Sequence, residues 1–148
     1  MDDIALMREI NRLQEQISAL RTIEVGGVWQ DWTPTPVTVG SMVYTLTNIN
    51  IAKYTVIGNV VTCIVGLVGT TSGTESPVLS FTAPINGTFV VSPVICGNGY
   101  VYDNSIYYGC FCLIRNLATD AIEVSKNDRS NFTLGTNRQL NVVITYIK

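Results

Sequence analysis

Histidine is absent from the 148-residue chain, and only 14% of its residues are charged, against about 25% in an average protein. Without an imidazole, catalysis by a Ser-His-Asp or Cys-His set is excluded. So few charged side chains leave little to cover a large solvated surface. We therefore expect the chain to bury part of its surface against other subunits.

An excess of basic residues and a long apolar run are also missing. The net charge is −2, and residues 1–24 carry five acidic and three basic side chains. Because binding to nucleic acid needs a basic face, no nucleic-acid partner is predicted. No apolar run approaches the roughly 18 residues of a membrane span, so no membrane insertion is expected. The N-terminus, MDDIALMREI, lacks the features of a signal peptide, which predicts assembly in a cytoplasm with reduced cysteines.

The four cysteines, Cys63, Cys96, Cys110 and Cys112, contain no C-x-x-C pair. Without histidine this spacing predicts no metal site, and we expect small buried hydrophobic side chains instead. No Gly-rich phosphate loop is present, so no cofactor is predicted. Scattered carboxylates such as Asp120 and Glu123 leave a glycosidase-like pair as a remote alternative. The sequence thus predicts no catalytic, cofactor-binding or metal-binding residues, and no enzyme.

Residues 4–21 give the clearest helical pattern of the chain. Apolar residues recur at spacings of 4, 3, 4 and 3, which is typical of a coiled-coil seam: Leu6, Ile10, Leu13, Ile17 and Leu20. An amphipathic helix lying on a core is the alternative, but it normally has a wider apolar stripe. The seam predicts a self-associating stem over residues 1–25. Ile at a and Leu at d formally favour two strands in a parallel coil.

The stretch WQDWTPTP contains both tryptophans, Trp29 and Trp32, and the prolines Pro34 and Pro36. Each proline drives the residue before it into an extended conformation, so a helix cannot continue through this segment. We interpret residues 26–41 as a junction between the stem and a β head. The alternative is that the tryptophans pack inside the head of one subunit.

Short β-branched and aromatic runs separated by turn residues follow the junction. They predict an antiparallel β-sandwich or barrel over residues 42–148, with strands near 42–48, 51–57, 60–68, 78–82, 88–95, 106–115, 121–126 and 139–147. Gly58-Asn59 is a tight hairpin turn. The runs at 60–68 and 139–147 are apolar on both faces, whereas a half-solvated strand would alternate. We expect their second face to contact a neighbouring subunit.

The segment 97–109, GNGYVYDNSIYYG, holds four of the seven tyrosines. Tyrosine beside small polar residues suits a binding loop, so this segment is the candidate receptor-contact loop, with Tyr100, Tyr102, Asp103, Asn104, Tyr107 and Tyr108 as its contacts. The alternative is a hairpin whose tyrosines pack across strands, with a turn at Asp103-Asn104-Ser105. Since Tyr107 and Tyr108 point to opposite faces, at least one of them packs.

Four of these motifs together resemble a head module of bacteriophage tail-fibre and receptor-binding proteins. They are WQDWTPT at 29–35, AKYTVIGNVV at 52–61, GNGYVYDNS at 97–105 and VVITY at 142–146. The resemblance implies a jelly-roll-like β-sandwich that forms a homotrimer behind a coiled-coil stem. It also implies adhesion of a virion appendage to the host surface, often through saccharides.

The resemblance carries over no particular receptor-contact residue, since the loops of such modules vary. It does override the dimer preference of the stem, because a larger β head can dictate the number of chains. The predicted protein is thus a virion structural protein that attaches to other virion proteins through its stem and to a host surface glycan through its head. The alternatives are a capsid- or tail-attached decoration protein and, third, a polysaccharide depolymerase.

Overall fold

The computed structural model describes residues 7–8, 10–15, 27–38, 40–85, 94–115 and 121–148. Residues 7–8 and 10–15 are helical, as the heptad pattern predicts. Ile10 and Leu13 are 40% and 45% exposed in the single chain, so this part of the seam faces outward. Leu6, Ile17 and Leu20 lie outside the described residues. The helix is confirmed over these residues, and the coiled coil stays a prediction.

In the described part of the chain, nine strands form one antiparallel sheet, which confirms the prediction of a mainly β chain. The strands are β1 (Gln30–Asp31), β2 (Pro36–Val37), β3 (Met42–Ile57), β4 (Val60–Gly73), β5 (Val78–Thr82), β6 (Val94–Asp103), β7 (Ile106–Arg115), β8 (Ala121–Lys126) and β9 (Gly135–Ile147). Their order across the sheet is β1-β3-β4-β9-β6-β7-β8-β5-β2.

Several strands differ from the sequence prediction. Strands β4 and β9 are longer than the predicted runs 60–68 and 139–147, and two other differences concern β3 and β6. The runs at 42–48 and 51–57 are one strand, β3, because the polar residues between them shift the register at two points instead of forming a turn. Strand β6 extends through the predicted recognition loop to Asp103, while residues 88–93 of the strand predicted at 88–95 lie outside the described residues. The predicted turn at Gly58-Asn59 is confirmed, and Gly58 has the positive φ of 60° that such a turn requires.

A single apolar core joins strands from both ends of this strand order. Side chains of β4 and β9 that point inward, such as Val65 and Ile144, share one buried cluster with Leu79 and Phe81 of β5. The sheet therefore curls so that its two halves face each other. Because successive side chains alternate between faces, the inward face of each long strand is almost fully buried.

All four cysteines are free thiols in this core, which confirms the sequence prediction. Burial raises the pKa of Cys63 and Cys96 to about 12 and that of Cys110 to about 11. It raises the pKa of Cys112 further. Thiols that are this hard to ionise behave as small hydrophobic groups and react slowly.

The segment 30–37 closes the curled sheet. The Trp32 amide donates a hydrogen bond to the Ala52 carbonyl of β3 (3.1 Å), and the Thr82 amide of β5 donates to the Thr35 carbonyl (2.8 Å). The ring centroids of Trp32 and Phe81 lie 6.2 Å apart. These contacts tie the edge at β3 to the edge at β5, so the two halves of the sheet are held together along their open side.

This position modifies the interpretation of the junction. Trp32 is half-buried against the core, Pro34 is buried, and Pro36 lies in β2 opposite Phe81. The sheet thus begins at Gln30 and not at residue 42, where the head was expected to start. Trp29 remains 45% exposed. Of the two readings of the tryptophans, packing within one subunit describes Trp32.

Candidate binding face

The tyrosine-rich segment forms the hairpin β6–β7. Asn104 and Ser105 have φ values of 51° and 67°, which is the left-handed backbone of a two-residue hairpin turn. The predicted turn is therefore confirmed. Tyr102 pairs directly with Tyr107, and their ring centroids are 4.8 Å apart. The alternative of a hairpin with tyrosines packed across its strands describes this segment.

Two of these tyrosines nevertheless stay open to solvent. Tyr107 is 67% and Tyr100 46% exposed, and their ring centroids lie 5.7 Å apart. Together with Tyr102 they form an aromatic patch on the outer side of the hairpin. Tyr108 points inward and packs against the core, as one of the neighbouring pair Tyr107 and Tyr108 was predicted to do. The patch therefore retains three of the four predicted tyrosine contacts.

Asp103 does not belong to any exposed contact surface, so its prediction as a receptor contact is wrong. Its side chain is 1% exposed, and its carboxylate pairs with Lys126 Nζ at 2.6 Å and with Arg138 Nε at 2.7 Å. Asp103 is the last inward-pointing residue of β6, so its side chain lies beneath the turn. Asn104, at the turn itself, is exposed.

The loop between β8 and β9 completes this buried ion cluster, which we define as Asp103, Lys126 and Arg138. Thr133 donates from its hydroxyl to Asp103 Oδ1 (2.7 Å) and from its amide to Oδ2 (3.1 Å). Arg138 donates to the carbonyls of Thr133 (3.1 Å) and Leu134 (2.7 Å). Every member is thus satisfied by hydrogen bonds, as buried charges must be.

The cluster also determines the charge state of its carboxylate. Burial alone would raise the pKa of Asp103, but hydrogen bonds from Lys126 and Thr133 outweigh it and hold the pKa below its usual value. Lys126 Nζ lies 4.2 Å above the Tyr108 ring, which adds a cation–π contact. The hairpin tip and the loop 127–136 are therefore fastened together from inside.

The outward side chains of β4, β9, β6 and β7 form what we call the outer face. The register aligns Ile64, Val143, Asn98 and Phe111 in one row and Gly66, Asn141, Tyr100 and Gly109 in the next. Within the described part of the chain, no outward side chain is charged on β4, β9 and β6 or on residues 106–114 of β7. Charged residues flank this face on both sides: Lys53 on β3 pairs with Asp31 at 2.8 Å, and Glu123 on β8 is paired in register with Leu113 of β7.

The two ends of the outer face differ in character. At one end Ile57, Val60 and Ile147 form a row and are 53%, 42% and 59% exposed. The segment that begins at Gly27 passes this end, because Gly27 lies against Thr55 and Val56. At the other end lie the tyrosine patch and the amides of Asn98, Gln139 and Asn141.

A shallow depression of about 310 Å³ lies between these ends. Ile51, Ile64 and Val143 provide its apolar surface, and Asn98, Asn141 and Tyr100 its polar groups. Gly66 lets the walls come close to the backbone, because a Cβ there would stand 2.8 Å from Asn141 Oδ1 and 3.0 Å from Ile51 Cγ2. The side chains of this lining are aliphatic groups, two amides and one phenol, which offer binding contacts.

Of the two carboxylates considered for a depolymerase, Glu123 is not among the residues that line the depression. Glu123 is in β8, 5% exposed and paired in register with Ser80 and Leu113, while Asp120 lies outside the described residues. Within the described ranges, no group of three or more His, Cys, Asp or Glu side chains is placed to hold a metal ion. The described part of the chain thus brings no carboxylate pair together at the outer face.

Sequence reasoning missed Lys126 and Arg138 as partners of Asp103, and Asn98 and Asn141 as lining of the depression. The strand alternation would have placed the two asparagines outward, once the register of β6 and β9 was known. No described helix is long and apolar enough to cross a membrane. Comparisons of the chain with protein-family models, with curated proteins and with solved structures gave no significant match.

Proposed function

We propose that the chain is a virion structural protein, the stem and receptor-binding head of a bacteriophage fibre that adheres to a glycan on the host surface. The observation that carries this proposal is the outer face. It is uncharged on β4, β9, β6 and residues 106–114 of β7, apolar at the end where the stem arrives, and rich in tyrosine and amide groups at the other end. A surface of this kind suits binding better than free solvation.

The proposed assembly is a homotrimer of jelly-roll-like heads behind a three-chain coiled coil. Outward-facing Ile10 and Leu13 on the helix and the row Ile57, Val60 and Ile147 on the head supply apolar surface that one chain leaves exposed. Both lie toward the stem, so one threefold contact would cover them together. Burial of such surface stabilises an assembly by about 25 cal/mol per Å².

The tyrosine patch then lies on the part of the head farthest from the stem contacts. Tyrosine rings offer a flat apolar surface and a polar hydroxyl, which match the C–H face and the hydroxyl groups of a sugar. The buried ion cluster keeps the hairpin in place, so little conformational entropy is lost on binding.

A cell-binding assay with the intact chain tests this function. Fluorescently labelled protein is incubated with a panel of bacterial strains, and light scattering is recorded on the same sample. We expect a mass near three times 16.2 kDa and saturable binding to a strain, lost after removal of its surface polysaccharide. A monomer at micromolar concentration would contradict the trimer. Capsid attachment without binding to any strain would favour the decoration protein.

A further inference from the structure

We propose that the depression on the outer face binds an uncharged N-acetylated hexosamine residue. The inference rests on the proposed glycan adhesion and goes further by naming the class of sugar and the residues that select it. The depression, at about 310 Å³, is at the lower end of the range for small-molecule sites, roughly 300–1,000 Å³. That size suits one sugar ring better than an extended polymer segment.

The polar groups of the depression match an acetamido substituent. Asn98 on β6 and Asn141 on β9 both line it. No hydrogen bond to either side chain is present among the described residues. Each amide offers one carbonyl acceptor and an NH₂ donor. An acetamido group presents the complementary N–H and C=O, so both asparagines have partners to find on such a ligand.

The apolar groups account for the methyl of the same substituent. Ile64 and Val143 lie side by side in register, and Val143 is 50% exposed. Burying one methyl or methylene group contributes about 0.8 kcal/mol. Tyr100, 46% exposed at the rim, gives a ring face for the C–H side of the sugar. A plain hexose has no methyl group to fill the isoleucine and valine surface.

Charge decides against acidic and basic sugars. The charged side chains beneath the hairpin, Asp103, Lys126 and Arg138, all point inward, with side chains 1%, 2% and 9% exposed. Lys53, paired in register with the lining residue Ile64, is already neutralised by Asp31 at 2.8 Å. A carboxylate or ammonium group in the depression would lose water without gaining a counter-charge, which is costly. We therefore expect sialic acid and glucosamine to bind worse than N-acetylglucosamine or N-acetylgalactosamine.

Saturation-transfer NMR with the full-length chain provides the test. The probes are N-acetylglucosamine, N-acetylgalactosamine, glucose, glucosamine and N-acetylneuraminic acid. We expect the strongest transfer to the acetyl methyl of an N-acetylhexosamine, with an affinity in the millimolar range. Asn141→Leu should weaken it at least tenfold. Ile106→Ala, at a residue 52% exposed in the same hairpin but outside the depression, should change it less than twofold.

Three results would overturn the inference. The first is saturation transfer to glucose as strong as to an N-acetylhexosamine. The second is unchanged sugar binding by a folded Asn141→Leu protein. The third is a lower oligomer mass of the Asn141→Leu protein, which would show that the depression is a contact between subunits. Asn98→Leu is the second variant should Asn141→Leu fail to fold. If the wild-type chain binds cells but no N-acetylhexosamine, this inference fails alone. If it binds neither, the proposed function fails as well.

Discussion

The hairpin β6–β7 has two sides, and they differ in charge. Its inner side holds Asp103 against Lys126 and Arg138, with no water-exposed charge. Its outer side holds Tyr100 and Tyr107, and none of its described side chains is charged. Ordinary domains distribute charge in the opposite way. The difference separates two tasks: ions on the inside fix the hairpin, and neutral groups on the outside remain available for contact.

The largest expected effect on stability comes from breaking the buried ion cluster on the inner side of the hairpin. Asp103→Asn leaves two buried cations without their carboxylate, and removing one partner of a buried pair typically costs about 3–5 kcal/mol. We expect a corresponding loss in the free energy of unfolding, measured by urea denaturation. Asp31→Asn, which removes a surface ion pair whose carboxylate is 85% exposed, is the matched control and should change little. Equal effects of both variants would refute the structural role of the cluster.

The next effect concerns the closure of the sheet by Trp32. Trp32→Ala removes a half-buried ring from Phe81 and should cost about 2–3 kcal/mol, below the range for a fully buried tryptophan. Trp32→Phe should recover most of this loss, because it keeps an aromatic ring against the core. Trp29→Ala, at a residue 45% exposed, should stay within about 0.5 kcal/mol. Thermal unfolding of the three variants measures whether their losses of stability follow this order.

These two sites also show what a sequence can reveal. Alternation of apolar residues predicted most strands, and the turns at Gly58 and Asn104 followed from residue type, because both are local properties. The pairing of Asp103 with Lys126 and Arg138 depends on contacts 23 and 35 positions away in the chain, which local patterns do not encode. For the same reason Trp32 was assigned to a junction, although its partner Phe81 places it in the sheet.

Acid should selectively weaken the buried ion cluster on the inner side of the hairpin. The pKa of Asp103 is lower in the folded chain than its ordinary value, near 3.9. The unfolded chain therefore binds a proton first as the pH falls, and stability declines from about that value down through the folded pKa. Unfolding free energies measured between pH 6 and pH 2 should show this decline. The Asp103→Asn variant should lack the part of this pH-dependent decline that Asp103 contributes. A pH profile of the variant identical to that of the wild-type chain would contradict the role given to Asp103.

The smallest effect on stability, with a distinct effect on assembly, is expected from the outer side. Ile147→Lys places a charge on an exposed row of the face, so the fold should tolerate it within about 0.5 kcal/mol. This charge should weaken the proposed trimer, so that its dissociation begins at a higher protein concentration than in the wild-type chain, as measured by light scattering. Gln139→Lys, farther from the stem end, is the control and should leave the mass unchanged. An unaltered mass for both variants would show that the contact between subunits lies elsewhere.

The central claim, that the neutral outer face does the binding, is tested most directly by the salt dependence of adhesion. The affinity of the intact chain for purified cell-surface polysaccharide is measured from about 50 mM to about 500 mM sodium chloride. Contacts between uncharged groups are not screened by salt, so the account predicts an affinity that stays constant within about twofold. A fall of tenfold or more would show that charged side chains make the contact and would contradict it.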